Sequence, residues 1–146
     1  MVKRTSLEDA SCPIARSLDV IGDWWSLLIV RDAMLGRTRF GEFQKSLGVA
    51  KNILASRLKT LVEEGILEQR AAADGSAYQD YVLTAKGRDL QHVAVALRQW
   101  GERHLFDKGE TCPILVDAKS GKPVKQLELH AADGRLLGPG DTRLKY

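Results

Sequence analysis

The three histidines of this chain, His92, His104 and His130, and its two thiols, Cys12 and Cys112, are the side chains most often used for metal or redox chemistry. Their spacing does not suit that chemistry. No histidine has a second metal-binding residue four positions away, so the helical ligand pair of many metal sites is missing. The cysteines form neither a CxxC redox pair nor a zinc pattern. No glycine-rich phosphate loop, nucleophile elbow or acidic pair at useful spacing occurs. These observations argue against an enzyme, a metal site and a bound cofactor. A thiol-dependent redox enzyme built on Cys12 is the best catalytic alternative, and it lacks a CxxC partner.

A different chemistry is concentrated in "GVAKNILASRLKTLVEEGILEQR", residues 48–70. At 100° per residue, Leu58 and Leu61 fall within ~40° of Leu54, while Asn52, Ser56 and Lys59 fall within ~40° of the opposite direction. The leucine stripe anchors a helix to a core and turns the polar face outward. Asn can bond an adenine edge twice, Ser can reach several base edges, and Lys reaches phosphate or guanine. Lys51 lies nearer the boundary between the faces, where it reaches phosphate. Arg57, at about −60°, flanks the buried side, which suits phosphate contact or an ion pair with Glu64. With Arg39, Ala55 and Arg70, these residues are the candidate DNA-binding set.

The charge pattern agrees. Residues 31–60 carry Arg31, Arg37, Arg39, Lys45, Lys51, Arg57 and Lys59 against Asp32 and Glu42, a local charge of +5 in a chain of +3. Concentrated positive charge is what phosphate binding requires, although a solvated basic patch would look the same.

The elements that must position this face can be read around it. Ile14, Leu18, Ile21, Trp25 and Leu28 recur at helical spacing, so residues 12–35 read as helical, divided at Gly22-Asp23 with Asp23 as N-cap of the second helix. "DWWSLLIVRDAML" is apolar nearly all round and reads as the buried central helix, ended by Gly36. Thr38 is placed to cap a short helix carrying Phe40, Phe43 and Leu47. Gly48 then separates it from the polar-faced helix, which makes a helix-turn-helix. After Gly65, "ILEQR" and "YQDYVLT" flank an Asp-Gly turn and form a β-hairpin, hence a wing. Thr84 opens one further helix, "AKGRDLQHVAVALRQWGERHLF". Its stripe of Leu90, Val93, Leu97, Trp100 and His104 fits pairing with a second subunit, or packing on its own domain.

From about residue 107 the texture changes to β-rich runs with "KSGK" and "ADGR" as hairpin turns. The expected fold is mainly α with a small β component: a winged helix-turn-helix DNA-binding and dimerisation domain over residues 1–106, and a small β-rich extension over 107–146. Hydrophobic residues make up 44% of the chain, enough for a packed core. No apolar run, residues 27–30 included, comes near the ~20 needed to span a bilayer. No secretory signal is visible. A soluble, cytoplasmic protein with no membrane partner is expected.

"CPIARSLDVIGDWWSLLIVRDAMLGRTRFGEFQKSLGVAKNILASRLKTLVEEGILEQR", followed by "DYVLTAKGRDL" and "LRQWGE", resembles the HxlR-type winged helix-turn-helix regulators, relatives of the MarR group. The motifs that match in order are Cys-Pro before helix one, a Trp opening helix two, "RFGE", "SRLKTL" and "YVLT..GR.L". The resemblance covers roughly residues 12–103. It implies a homodimeric transcription factor bound to double-stranded DNA, with residues 50–64 as recognition helix, 66–83 as wing and terminal helices forming the dimer. It also makes Cys12 a candidate redox sensor, since some such proteins use a cysteine there. Pro13 would place that thiol at a helix N-terminus, while a small cysteine packed in helix one is the plainer alternative. Three departures stand out. Trp24 replaces a usual Lys, Ala50 replaces a usual capping Ser, and the wing tip "AAADGSA" lacks basic residues. Asp117 and Ser120 stand where some relatives' extensions carry cysteines, so a hairpin without metal is expected. A winged helix used only for protein contacts is a second alternative. The effector, whether small molecule or oxidant, is not legible.

Overall fold

The computed structural model describes residues 5–146. The first helix, α1, spans Pro13–Ile21, with Cys12 at its N-cap and Pro13 at its first position, where a missing N–H costs nothing. Of its apolar stripe only Ile21 is buried; Ile14 and Leu18 face outward. The second helix, α2, spans Ser26–Met34 and so begins two residues later than an N-cap at Asp23 implies. Asp23 still acts as the acceptor there: its Oδ2 takes the N–H groups of Trp25 and Ser26, each at 3.0 Å. Holding that turn leaves Trp24 outside the helix and 86% exposed. Ile29 and Val30 are fully buried, as a central helix requires.

Helix α3, Phe40–Leu47, is capped by Arg39 rather than Thr38. The reason is Glu42, whose Oε1 reaches back to accept from the N–H groups of both Thr38 and Arg39 at 3.0 Å. These two backbone donors, Thr38 first, hold the Glu42 carboxyl below its ordinary range. Gly48 closes α3 in the left-handed region at φ 64°, a conformation a side chain would resist. Helix α4, Lys51–Glu63, follows after two residues, burying Leu54, Leu58 and Leu61. With Ile21, Ile29, Val30, Phe43, Val49, Ile66 and Leu67 these leucines form one core.

The wing consists of β1, Leu67–Ala71, and β2, Gln79–Leu83, paired antiparallel with Leu67 opposite Leu83 and Arg70 opposite Asp80. Thr38 borders this sheet: its carbonyl accepts from the Tyr81 N–H at 2.7 Å. The single long helix expected after Thr84 is broken. Thr84 caps α5, Ala85–Arg88, through a 3.0 Å bond from the Gly87 N–H, and α6 restarts at Gln91–His104. The Leu90 N–H bonds the Gly87 carbonyl three residues back, tightening the chain and setting Leu90 against the core.

The chain divides into two compact units, residues 1–94 and 95–146, with the division inside α6. In the second unit the two expected turns close as single bridges, Val116 with Pro123 and His130 with Leu136, rather than as full strands. Gln99 holds this segment by its backbone. Its Nε2 donates to the Lys125 carbonyl at 3.0 Å and its Oε1 accepts from the Leu127 N–H at 2.7 Å. That amide pair explains why a polar side chain is buried there.

Candidate nucleic-acid interface

The geometry of α4 follows from its leucines. Because Leu54, Leu58 and Leu61 are buried, Lys51, Asn52, Ala55, Ser56 and Lys59 stand exposed on the other side. No side chain caps its N-terminus: Ala50 offers no acceptor and the first turn holds no acid. Exposed N–H groups therefore open next to Lys51 and Asn52, with positive helix-end potential.

The basic residues of residues 31–60 are less free than their number suggests. Arg57 is half-buried and pairs with Asp23 at 3.7 Å, not with Glu64. Helical phase turns it toward the start of α2, so one acid serves both the α2 cap and α4. Arg31 and Arg37 share the fully buried Asp32 at 3.0 and 3.5 Å, both on Oδ1. Lys59 lies 4.0 Å from Glu63 in an exposed pair of little energetic weight. Among the described residues, Lys45 and Lys51 make no ion pair.

Arg39 belongs to the wing as much as to α3. Its Nη2 lies 2.6 Å from Asp74 Oδ2, its Nε 3.4 Å from Asp80 Oδ1, and its guanidinium sits 5.2 Å from the Tyr78 ring centroid. The hydrogen bond to Asp74 comes first in holding Arg39 protonated even above its usual range. Asp74 is pulled down to about 2, chiefly by the Ser76 N–H, with the Arg39 bond adding to it. The wing tip therefore presents acid to a local arginine. Arg70, exposed on β1, is paired with Glu68. Asp74 and Asp80 were not singled out from sequence, and Asp23 was read as a helix cap but not as the partner of Arg57. The Asp-Gly turn gave a signal for Asp74; a long-range ion pair gives none.

On α6, Val93, Leu97 and Trp100 are exposed in the single chain, and the Trp100 and His104 rings lie 5.2 Å apart. Leu90 is half-buried against the core instead. Cys12 is exposed and Cys112 half-buried, both as free thiols. Among the described residues no three His, Cys, Asp or Glu side chains cluster as a metal site would need, and no helix is long and apolar enough to cross a membrane.

Two helices at a glycine turn, an outward polar face and a following hairpin match the HxlR-like helix-turn-helix family model over residues 20–108. The chain belongs to the HxlR-like family. An uncharacterized HTH-type transcriptional regulator of Mycobacterium bovis is 39% identical over 92 residues, 63% of this chain. The matched region spans 58% of that relative's length. The crystal structure of PA1607, a candidate transcription factor, is 57% identical with a TM-score of 0.93, covering 97% of this chain and 99% of that one. The redox regulator HypR in its reduced form is 27% identical with a TM-score of 0.60, covering 64% of this HxlR-like chain and 94% of HypR.

Proposed function

We propose that this HxlR-like chain is a transcriptional regulator that binds double-stranded DNA as a homodimer, with α4 in the major groove. The supporting observation is the face of α4: a helix anchored by three buried leucines turns Lys51, Asn52, Ala55, Ser56 and Lys59 to solvent beside a wing. Asn52 reads a base edge, with Ser56 and Ala55 along the same surface. Lys51 and the uncapped N–H groups of the first turn hold phosphate, the usual ligand of a free helix N-terminus. Lys59 and Arg70 supply further phosphate charge. Arg57 positions α4 through Asp23, and Arg39 steadies the wing.

The exposed stripe of Val93, Leu97, Trp100 and His104 pairs two copies, with Leu90 linking that helix to the core. A twofold dimer reads a pseudo-palindrome with half-sites about one helical turn, ~34 Å, apart. Cytoplasmic residence and the absence of catalysis belong to the same reading. The test is fluorescence anisotropy of the full chain on duplexes from its own upstream region against random duplex. Preference for one upstream duplex supports the reading; equal affinity for all duplexes refutes it.

A second reading concerns Cys12, an exposed thiol at the N-cap of a nine-residue helix in a chain similar to a redox regulator. A thiol so placed is suited to oxidation. Oxidant should weaken DNA binding in the wild type and not in Cys12→Ser; equal sensitivity in both removes the idea.

A further inference from the structure

A cavity of about 450 Å³ lies within the first unit, between the end of α2, the wing and α5. Three arginines border it: Arg37 just before α3, Arg70 on β1 and Arg88 on α5. Its apolar lining comes from Ala33, Met34, Val82 and Leu83. The hydroxyl-bearing Thr38 and Tyr81, with the amide of Gln91, complete the wall. Its size falls in the usual range of small-molecule sites, ~300–1,000 Å³.

The charge inside is unbalanced. Arg70 has Glu68, and Arg37 has only a share of Asp32, whose Oδ1 already serves Arg31. Arg88 donates to the Leu83 carbonyl at 2.9 Å and makes no ion pair among the described residues. Three cations thus face two carboxylates, one of them divided. A planar guanidinium binds a carboxylate through two parallel hydrogen bonds, and aliphatic lining rewards burial of an apolar body. Strand alternation adds a further point. Gln69 lines a cleft with α4 residues Ala55 and Lys59, whereas its neighbour Arg70 lines this cavity. Tyr81 borders both, so the site adjoins the cleft beside the recognition helix.

We propose that this cavity binds a small organic carboxylate with an apolar body, and that its occupancy sets DNA affinity. The second half rests on the regulator reading above. The three arginines come from the segment leading into α3, the wing and the helix following it, so one bound anion ties together the parts that flank α4. A ligand shifts DNA affinity only if it binds the DNA-competent and DNA-incompetent arrangements unequally. A site bordered by three separately anchored segments meets that condition, because its geometry changes whenever they move.

The experiment titrates the full chain with 2-naphthoate, its neutral isostere 2-naphthamide, and inorganic phosphate, first without DNA. Calorimetry gives affinity and methyl NMR of Met34, Val82 and Leu83 gives location. One naphthoate per chain is expected, shifting those methyls, with naphthamide at least tenfold weaker. Arg88→Met should weaken naphthoate at least tenfold, and Arg88→Lys should recover part of that. Unliganded Arg88→Met should bind DNA as the wild type does, while naphthoate should change wild-type DNA affinity at least fivefold. Unchanged naphthoate affinity in Arg88→Met, or phosphate competing as well as naphthoate, overturns the carboxylate site. Naphthoate bound in the cavity without any change in DNA affinity overturns the effector role. If unliganded Arg88→Met loses DNA affinity with a flatter salt slope, the cavity serves a DNA phosphate and the proposal is wrong. Failure of unliganded wild type to prefer any duplex instead defeats the regulator reading and leaves the naphthoate result standing.

Discussion

Asn52 and Lys51 are neighbours on the first turn of α4, both exposed, and under the proposed function their chemistry divides the work of binding. Asn52→Ala should cost roughly 1–3 kcal/mol on a specific site and relax preference at one base pair, because an amide edge distinguishes bases. Lys51→Ala should weaken specific and random duplex alike and flatten the salt slope by about 1, since a phosphate contact carries no sequence information. Salt titrations on both duplexes separate the two. Asp74 makes a different prediction. Its carboxyl titrates at about 2 in the folded chain, below the ~3.9 of an unfolded one, so its support of the wing is full above ~4 and is lost as pH falls through about 2. Protection of the Ser76 amide, its exchange rate taken against the intrinsic rate at each pH, should therefore fall between pH 4 and pH 2, and be low throughout in Asp74→Ala. A Ser76 protection factor that stays constant over that range would contradict that assignment.

At the scale of elements, legibility followed periodicity. The α4 face was readable because three leucines recur at helical spacing between two glycines, and the wing because an Asp-Gly turn separates two alternating runs. The break after Arg88 was not readable, since "AKGRDLQHV" contains no proline and its glycine is compatible with a helix. What breaks it is tertiary: a Cβ on Gly87 would lie 2.2 Å from the Ile66 carbonyl oxygen, so the chain there is pressed against the residue that leads into β1. Gly87→Ala should accordingly destabilise the domain, by roughly 1–3 kcal/mol as overpacking does, read as a lower midpoint in urea. Leu58→Ala, fully inside the core, should cost more, about 2–5 kcal/mol. The partners of Arg39 and Arg57 were equally illegible. Asp74, Asp80 and Asp23 stand 35, 41 and 34 positions away, and no spacing rule reaches that far.

In the whole molecule, the proposed homodimer needs one reading helix per chain and a pairing stripe on α6. That stripe leaves Leu97 and Trp100 each about half exposed in the single chain, more apolar surface on one helix than solvation favours. Trp100→Glu should turn a dimer into a monomer by light scattering at micromolar concentration, and weaken DNA binding by removing one of two half-site contacts. The most direct test of the central claim is selection of binding sites from a randomised duplex pool by the full chain, run beside Asn52→Ala. An inverted repeat with half-site centres ~34 Å apart is expected, and the same repeat with one base preference lost per half-site in the variant. A pool that emerges as random as it entered, or a variant that selects the identical sequence, would contradict it.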